Sequence, residues 1–264
     1  MANRGAVSPA GAASVAASPG LSIIVPAHNE ELELPRTLRA IKESITALKA
    51  RDAAAGTLPI ELIVVDDSST DGTAAIARAH GARVVNSSAQ QIAGTRNLGA
   101  RAAGGEWLLF IDADTRINQG VLGGIIAALR AGAVGGGAQV RWEPPTPLWG
   151  HVYLFLFMLI WRRLGHAAGC CFFCRRTDFE AVGGFDERYF ASEEVWLSKA
   201  LRERGTFTVI AEPVLTSGRK VRLTSALGML ATSIKLLIRG PRGWQKREGL
   251  ELWYDPRMRE SGER

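Results

Sequence analysis

Short apolar runs alternate with longer stretches of helical spacing along this chain. Leu21–Pro26 (LSIIVP), Ile60–Val65 (IELIVV) and Trp107–Ile111 (WLLFI) are near-continuous apolar runs, the pattern of strands buried on both faces. Leu32–Lys49 repeats apolar residues at helical spacing, with Pro35 in the first turn, where proline is tolerated. Asp71 caps a short helix (TAAIARAHG) that stops at Gly81. A short strand over Ala82–Val85 and a helix over Thr95–Ala103 follow. Asn118 opens a helix over Gly120–Ala131. This β-α-β-α-β order predicts an α/β domain with a mostly parallel central sheet covered by helices.

The second half is less regular. An extended stretch follows the Gly135–Gly137 triplet and ends at Trp142, and an apolar helix covers Leu148–Leu164. Cys170–Arg176 reads as a strand, Gly183–Gly184 as a turn, and Ser192–Arg204 as a helix with Ser192 at its N-cap. Thr208–Ala211 is the last strand, and Leu223–Ile238 is helical. The organisation expected is an Ala/Ser/Gly/Pro tail over 1–20, a domain over 21–218 and a basic, partly helical segment over 219–264.

Charge sharpens that division. Lys and Arg number 32, Asp and Glu 26, for a net charge of +6. Residues 201–264 hold 13 basic and 7 acidic residues, so the C-terminal quarter carries the whole excess. An anionic partner is implied: phosphate or acidic lipid headgroups, with no nucleic-acid module in evidence. The tail lacks the Leu-rich core of a signal peptide. The longest apolar run, Val152–Trp161, is ten residues and falls short of the ~20 needed to span a bilayer. It is either a core helix or an interfacial one. The expected placement is cytoplasmic, with peripheral attachment to the inner face of the membrane through 219–264. Cys170, Cys171 and Cys174 form no disulfide framework and read as small buried hydrophobes.

Polar clusters stand where the apolar runs stop. His28-Asn29-Glu30 follows the first strand, Asp66-Asp67 ends the second, and Asp112-Ala113-Asp114 follows WLLFI. In open α/β sheets ligands bind at the carboxyl ends of the strands. Carboxylates gathered in one crevice repel each other unless a cation lies among them, and oxygen ligands favour Mg²⁺ or Mn²⁺ over zinc.

The stretches IIVPAHNE, LIVVDDSSTDGT, AGTRNLGA, LLFIDADT, VGGFDERYFASEEVWLSKALRERG and TSGRK, taken in order over residues 21–220, resemble a family-2 glycosyltransferase with the A-type (GT-A) nucleotide-diphospho-sugar transferase fold. The resemblance implies metal-assisted, inverting transfer from a nucleotide diphosphate sugar to an acceptor hydroxyl, which in many such proteins is lipid-linked. It implies that Pro26, Ala27, Asn29 and Glu30 line the nucleotide pocket, that Asp67 reads the base and that Arg96 lies close to the nucleotide. Asp112 and Asp114 match the D-x-D element, with Asp114 on the metal and Asp112 on ribose or a metal water. Glu193-Glu194 matches the acidic pair, with Glu194 as the base. The commoner residue at 194 is Asp, which leaves the choice between Glu193 and Glu194 open. Arg219 in TSGRK is either part of the basic segment or a diphosphate contact. The Q-x-x-R-W signature of processive polymerases is missing. Two alternatives stand beside this reading: a non-catalytic nucleotide-sugar or membrane-surface binder, and a D-x-D phosphatase, against which Thr115 comes one residue early.

Overall fold

The structure is a computed structural model that describes residues 20–51, 57–248 and 250. The 1–20 tail, apart from Gly20, and the end of the basic segment lie outside the described residues. Strands β1 (Leu21–Ala27), β2 (Ile60–Asp67), β3 (Arg83–Ser87) and β4 (Trp107–Ile111) form the parallel half of an eight-stranded sheet of order β3-β2-β1-β4-β7-β6-β8-β5. Strands β5 (Thr115–Arg116), β6 (Gly135–Trp142), β7 (Cys171–Arg175) and β8 (Phe207–Thr216) complete it. Four of the seven ladders are parallel and three antiparallel. The antiparallel ladders all involve β7 or β5, so the sheet is parallel up to β4 and mixed beyond it.

Strand alternation divides the core between the two faces. Leu109 and Ile111 of β4 pack with α1 (Leu34–Arg51) and α4 (Gln119–Arg130) on one face. Leu108 and Phe110 pack with α3 (Ile92–Ala102) and α7 (Glu193–Arg202) on the other. The short helices α2 (Thr73–Ala79) and α6 (Arg176–Ala181) follow β2 and β7. Cys171 and Cys174 are fully buried free thiols on opposite faces, as their spacing in a strand requires. Burial pushes the Cys171 thiol up to about 12, which makes it chemically inert.

The glycine triplet lies inside β6. A Cβ on Gly136 would come within 1.8 Å of the Thr208 carbonyl oxygen and 2.5 Å of the Phe173 ring. Glycine here permits close strand packing. The remaining helices among the described residues are α5 (Leu148–Leu164), between β6 and β7, and α8 (Arg219–Arg222) and α9 (Ala226–Trp244) after β8, the last broken at Gly240 (φ 54°). Asn118 and Ser225 cap α4 and α9 through their side chains. Ser192 does not cap α7: it sits at φ 63° and its side chain makes no capping hydrogen bond. Left-handed backbone at Ser192 re-aims the chain into the acidic pair instead, and that conformation is not legible from residue type.

Candidate active site

Two loops at the carboxyl end of the parallel strands are laced together. Asn29 Oδ1 accepts from Thr70 N (2.8 Å), the Glu30 amide donates to Thr73 Oγ1 (2.9 Å), and Gly72 N donates to Glu31 Oε2 (2.9 Å). These bonds fix the segment after β1 against the segment after β2. Among the described residues, four non-glycine residues have positive φ: Asn29, Ser68, Gln90 and Ser192. Asn29 and Ser68 lie within two residues after β1 and β2, while Gln90 and Ser192 precede α3 and α7. Left-handed backbone costs on the order of 1–3 kcal/mol per residue and gathers at functional sites.

Pro26 and Ala27 end β1 and are buried, with Ala27 in register with Asp66. Asp67 is buried at the end of β2, where Oδ1 accepts from Gln90 N (3.0 Å) and Oδ2 from Thr95 Oγ1 (2.7 Å). Asp66 Oδ1, beside it, is buried without a hydrogen-bond partner.

Arg96 is the centre of the acidic cluster. Helix α3 carries it into the interior, where it is 2% exposed. One guanidinium nitrogen pairs with Glu193 Oε1 at 2.6 Å. The other pairs with Asp112 Oδ1 at 2.7 Å and donates to the Gly169 carbonyl at 2.8 Å. The Phe185 ring stands 5.2 Å from its central carbon. Burial disfavours the Arg96 charge, but Asp112 and Glu193 outweigh it and hold the guanidinium firmly protonated. One side chain thus joins the D-x-D element to the start of α7.

The two acids at 193 and 194 are thereby distinguished. Glu193 is buried and held by Arg96. Glu194 is half-buried, and its pKa is pushed up to about 8 by burial and then by the neighbouring Glu193 charge.

Asp114 lies on the opposite side of the D-x-D element, with Arg219 Nη2 3.7 Å from its Oδ2. Arg219 also donates to Glu30 at 3.0 Å. The sequence leaves Arg219 between two roles; the structure puts it against Glu30 and Asp114, buried in this crevice. Burial and then Asp114 push Glu30 up to about 7, against the pull of Arg219. Burial raises the pKa of Asp114 too; Lys220 lowers it and Asp112 adds to the rise. Cys170, expected as a buried strand residue, is only half-buried and precedes β7, and its place here with Gly169 was not read from sequence: the Gly169 carbonyl accepts from Arg96, and the Cys170 carbonyl accepts from the Asp112 amide. Backbone acceptors leave no residue-type signal.

Among the described residues, no three His, Cys, Asp or Glu side chains form a ready-made metal cage. Asp112 and Asp114 are oxygen donors only. They suit a hard divalent cation that completes its shell with phosphate and water.

This architecture is the GT-A fold, and solved structures share it. The chain superposes on S. aureus TarS 1–349 in complex with UDP-GlcNAc with a TM-score of 0.58 and 18% identity, covering 75% of this chain and 58% of that one. It superposes on the mannosyltransferase PcManGT from Pyrobaculum calidifontis, in complex with GDP-Man and Mn2+, with a TM-score of 0.57 and 20% identity, covering 83% and 65%. The family model for glycosyl transferase family 2 matches residues 22–183, and the chain belongs to that family. A 4,4'-diaponeurosporenoate glycosyltransferase of Staphylococcus haemolyticus is 34% identical over 105 residues, 37% of this chain and 25% of the relative. A dolichyl-phosphate beta-glucosyltransferase of Drosophila melanogaster is 37% identical over 102 residues, 36% and 30%. The chain spans about a quarter to a third of the length of these two relatives.

Proposed function

We propose that this protein transfers a sugar from a nucleotide diphosphate sugar to an acceptor hydroxyl, with inversion and with the help of Mg²⁺ or Mn²⁺. The observation that carries the reading is the Arg96 bridge, which sets the D-x-D element and the acidic pair on one crevice. Inversion requires one displacement and one base. Glu193 is engaged by Arg96, which favours Glu194 as that base. In the transfer Glu194 takes the acceptor hydroxyl proton, the acceptor oxygen bonds to the anomeric carbon, and the bond to the diphosphate breaks with its electron pair. A carboxylate raised to about 8 is a stronger base, once ionised, than one of ordinary pKa.

Arg219 and Lys220 supply positive charge beside Asp114 and Glu30, where the leaving diphosphate would gather charge. Asp114, with Asp112, would hold the divalent ion, which supplies further stabilisation of that charge when bound. The nucleoside half of the donor would lie along Pro26, Ala27, Asn29, Glu30 and Asp67, with Arg96 and Asp112 beyond. The neighbours that hold UDP-GlcNAc and GDP-Man support a nucleotide-sugar donor. In this reading residues 21–218 form the transferase domain and 219–264 a basic segment. That segment attaches the protein peripherally to an anionic leaflet on the cytoplasmic side, beside a lipid-linked acceptor. Exposed Leu227, Leu230 and Ile234 with Lys235 on α9 support it.

The test is a thermal-shift screen of UDP-, GDP- and dTDP-sugars with Mn²⁺, followed by a nucleoside-diphosphate release assay on any donor that stabilises the fold. Release that needs the metal and is lost in Glu194→Gln supports the reading. Inorganic phosphate as the product would replace it with a phosphatase.

A further inference from the structure

Helix α5 is strongly apolar, yet most of it does not enter the core. Only Gly150, Leu154 and Met158 are buried, four residues apart on one face. On the opposite face Val152, Phe155, Leu156, Leu159 and Ile160 recur at helical spacing, with Phe155 68% and Ile160 56% exposed. Exposed Arg162 and Arg163 close the stripe. A helix of 17 residues is about 25 Å long. No helix among the described residues is long and apolar enough to cross a membrane.

Helix α9 stands next to α5. Tyr153 Oη and Ser233 Oγ, one on each helix, are 2.8 Å apart. On α9, Leu227 and Ile238 are 79% and 81% exposed, with Lys235 and Arg239 also exposed.

Charge selects the occupant of these faces. No Asp or Glu occurs from Pro144 to Thr177, which includes α5, or from Pro213 to Arg247, which includes α9. The exposed Phe, Leu, Ile and Val of these helices share their stretches with cations and no acid, which matches an anionic bilayer surface: acyl chains take the apolar side chains and headgroups take the arginines.

We propose that α5 is the principal membrane-inserting element of this protein and lies in the interface of an anionic leaflet, with α9 as a second contact. This deepens the peripheral placement proposed above, which rests on residues 219–264. It also has a geometric consequence. Gly150 of α5 packs so closely on Val221 of α8 that a Cβ would come within 2.6 Å of it, and its carbonyl accepts from Trp142 Nε1 at 3.2 Å. Helix α8 carries Arg219, which reaches Glu30 and Asp114. The inserted helix is therefore one short helix removed from the catalytic crevice, which brings that crevice to headgroup level.

The experiment is flotation of the full chain with vesicles of phosphatidylcholine alone or of equimolar phosphatidylcholine and phosphatidylglycerol, at low and high salt. Two separate pairs, Phe155→Ser with Ile160→Ser and Leu156→Ser with Leu159→Ser, remove apolar area from the exposed face. A third, Leu227→Ser with Ile238→Ser, does so on α9. The full chain is expected to float with the anionic vesicles. Each α5 pair should lower partitioning by at least about tenfold and the α9 pair by less, at unchanged thermal melting and donor-induced stabilisation. Undiminished binding in both α5 pairs overturns the role of α5 and leaves attachment through 219–264 standing. Absence of binding by the full chain overturns both attachments, while donor-dependent stabilisation judges the transferase reading separately. Loss of folding in both α5 pairs, or a dimer by light scattering that the α5 pairs abolish, would mean that protein covers this face.

Discussion

Replacing Arg96 with Met tests the central bridge, because the perturbation is confined and its energy depends on pH. Arg96 and Glu193 are 2% and 4% exposed, and the substitution removes contacts of 2.6, 2.7 and 2.8 Å. At pH 8 it strands a buried Glu193 carboxylate beside Asp112 with no cation. Breaking a buried pair in this way costs about 3–5 kcal/mol, against a total stability of about 5–15 kcal/mol for a typical domain. At pH 5 the cost is smaller. Burial already holds the Glu193 pKa above 4.5, and loss of Arg96, which lowers it, raises it further. The folded variant then takes up a proton that the unfolded chain, with its ordinary carboxylate, mostly lacks.

More protons bound in the folded state than in the unfolded one means that stability falls as pH rises through this window. With Glu193 neutral, the deficit shrinks to that of lost hydrogen bonds and packing, about 1–3 kcal/mol. Urea unfolding of both proteins at the two pH values should therefore show a deficit larger by about 2 kcal/mol at pH 8. Adding Glu193→Gln to the variant should recover part of it. A deficit below ~1 kcal/mol at both pH values, or strict additivity of the two substitutions, would refute the bridge as an energetic unit.

Other expectations concern the acids and the packing. Glu194→Gln should lower transfer by about 10²–10⁴-fold while donor binding measured by calorimetry persists, and Glu193→Gln should harm turnover less. A base must be ionised to act, so kcat/KM should rise with pH towards a plateau above about 8, where Glu194 loses its proton; a profile flat from neutral to alkaline pH would exclude Glu194 from that role. Asp114→Asn should weaken metal-dependent donor binding, and full activity in EDTA would remove the metal from the mechanism. Gly136→Ala drives a methyl to within 1.8 Å of the Thr208 carbonyl and should cost at least ~3 kcal/mol or abolish folding. Gly123→Ala, whose nearest new neighbour is Leu48 Cδ1 at 3.4 Å, should raise stability by up to ~1 kcal/mol, read as a higher melting temperature.

The parallel half of the fold was legible because its signals are local. β4 spans the run WLLFI, α5 spans Leu148–Leu164, and Asn118 stands at the start of α4, where its side chain accepts from Val121 N. Each depends on apolar periodicity or on one hydrogen bond between near neighbours. Apolar runs that stop at acids also marked the strand ends that border the crevice, so Glu30, Asp67, Asp112 and Asp114 were nameable as candidates from the pattern, whereas Arg96 and the Glu193-Glu194 pair were named only through the family resemblance. Their division of labour was not. Glu193 and Glu194 are chemically alike in sequence, and only a guanidinium 97 positions away separates them, by taking one and leaving the other raised. Arg219 stays undecided in the sequence, between a basic tail and a diphosphate contact, until the fold sets it 3.0 Å from Glu30, 189 positions earlier. Ser192 has the composition of a cap, yet its backbone turns left-handed and its hydroxyl caps nothing. The apolar run of α5 announces a helix but not which side of it meets protein. Periodicity records burial within one element; pairing of distant charges, backbone strain and the choice between core and surface depend on neighbours that only the tertiary structure supplies.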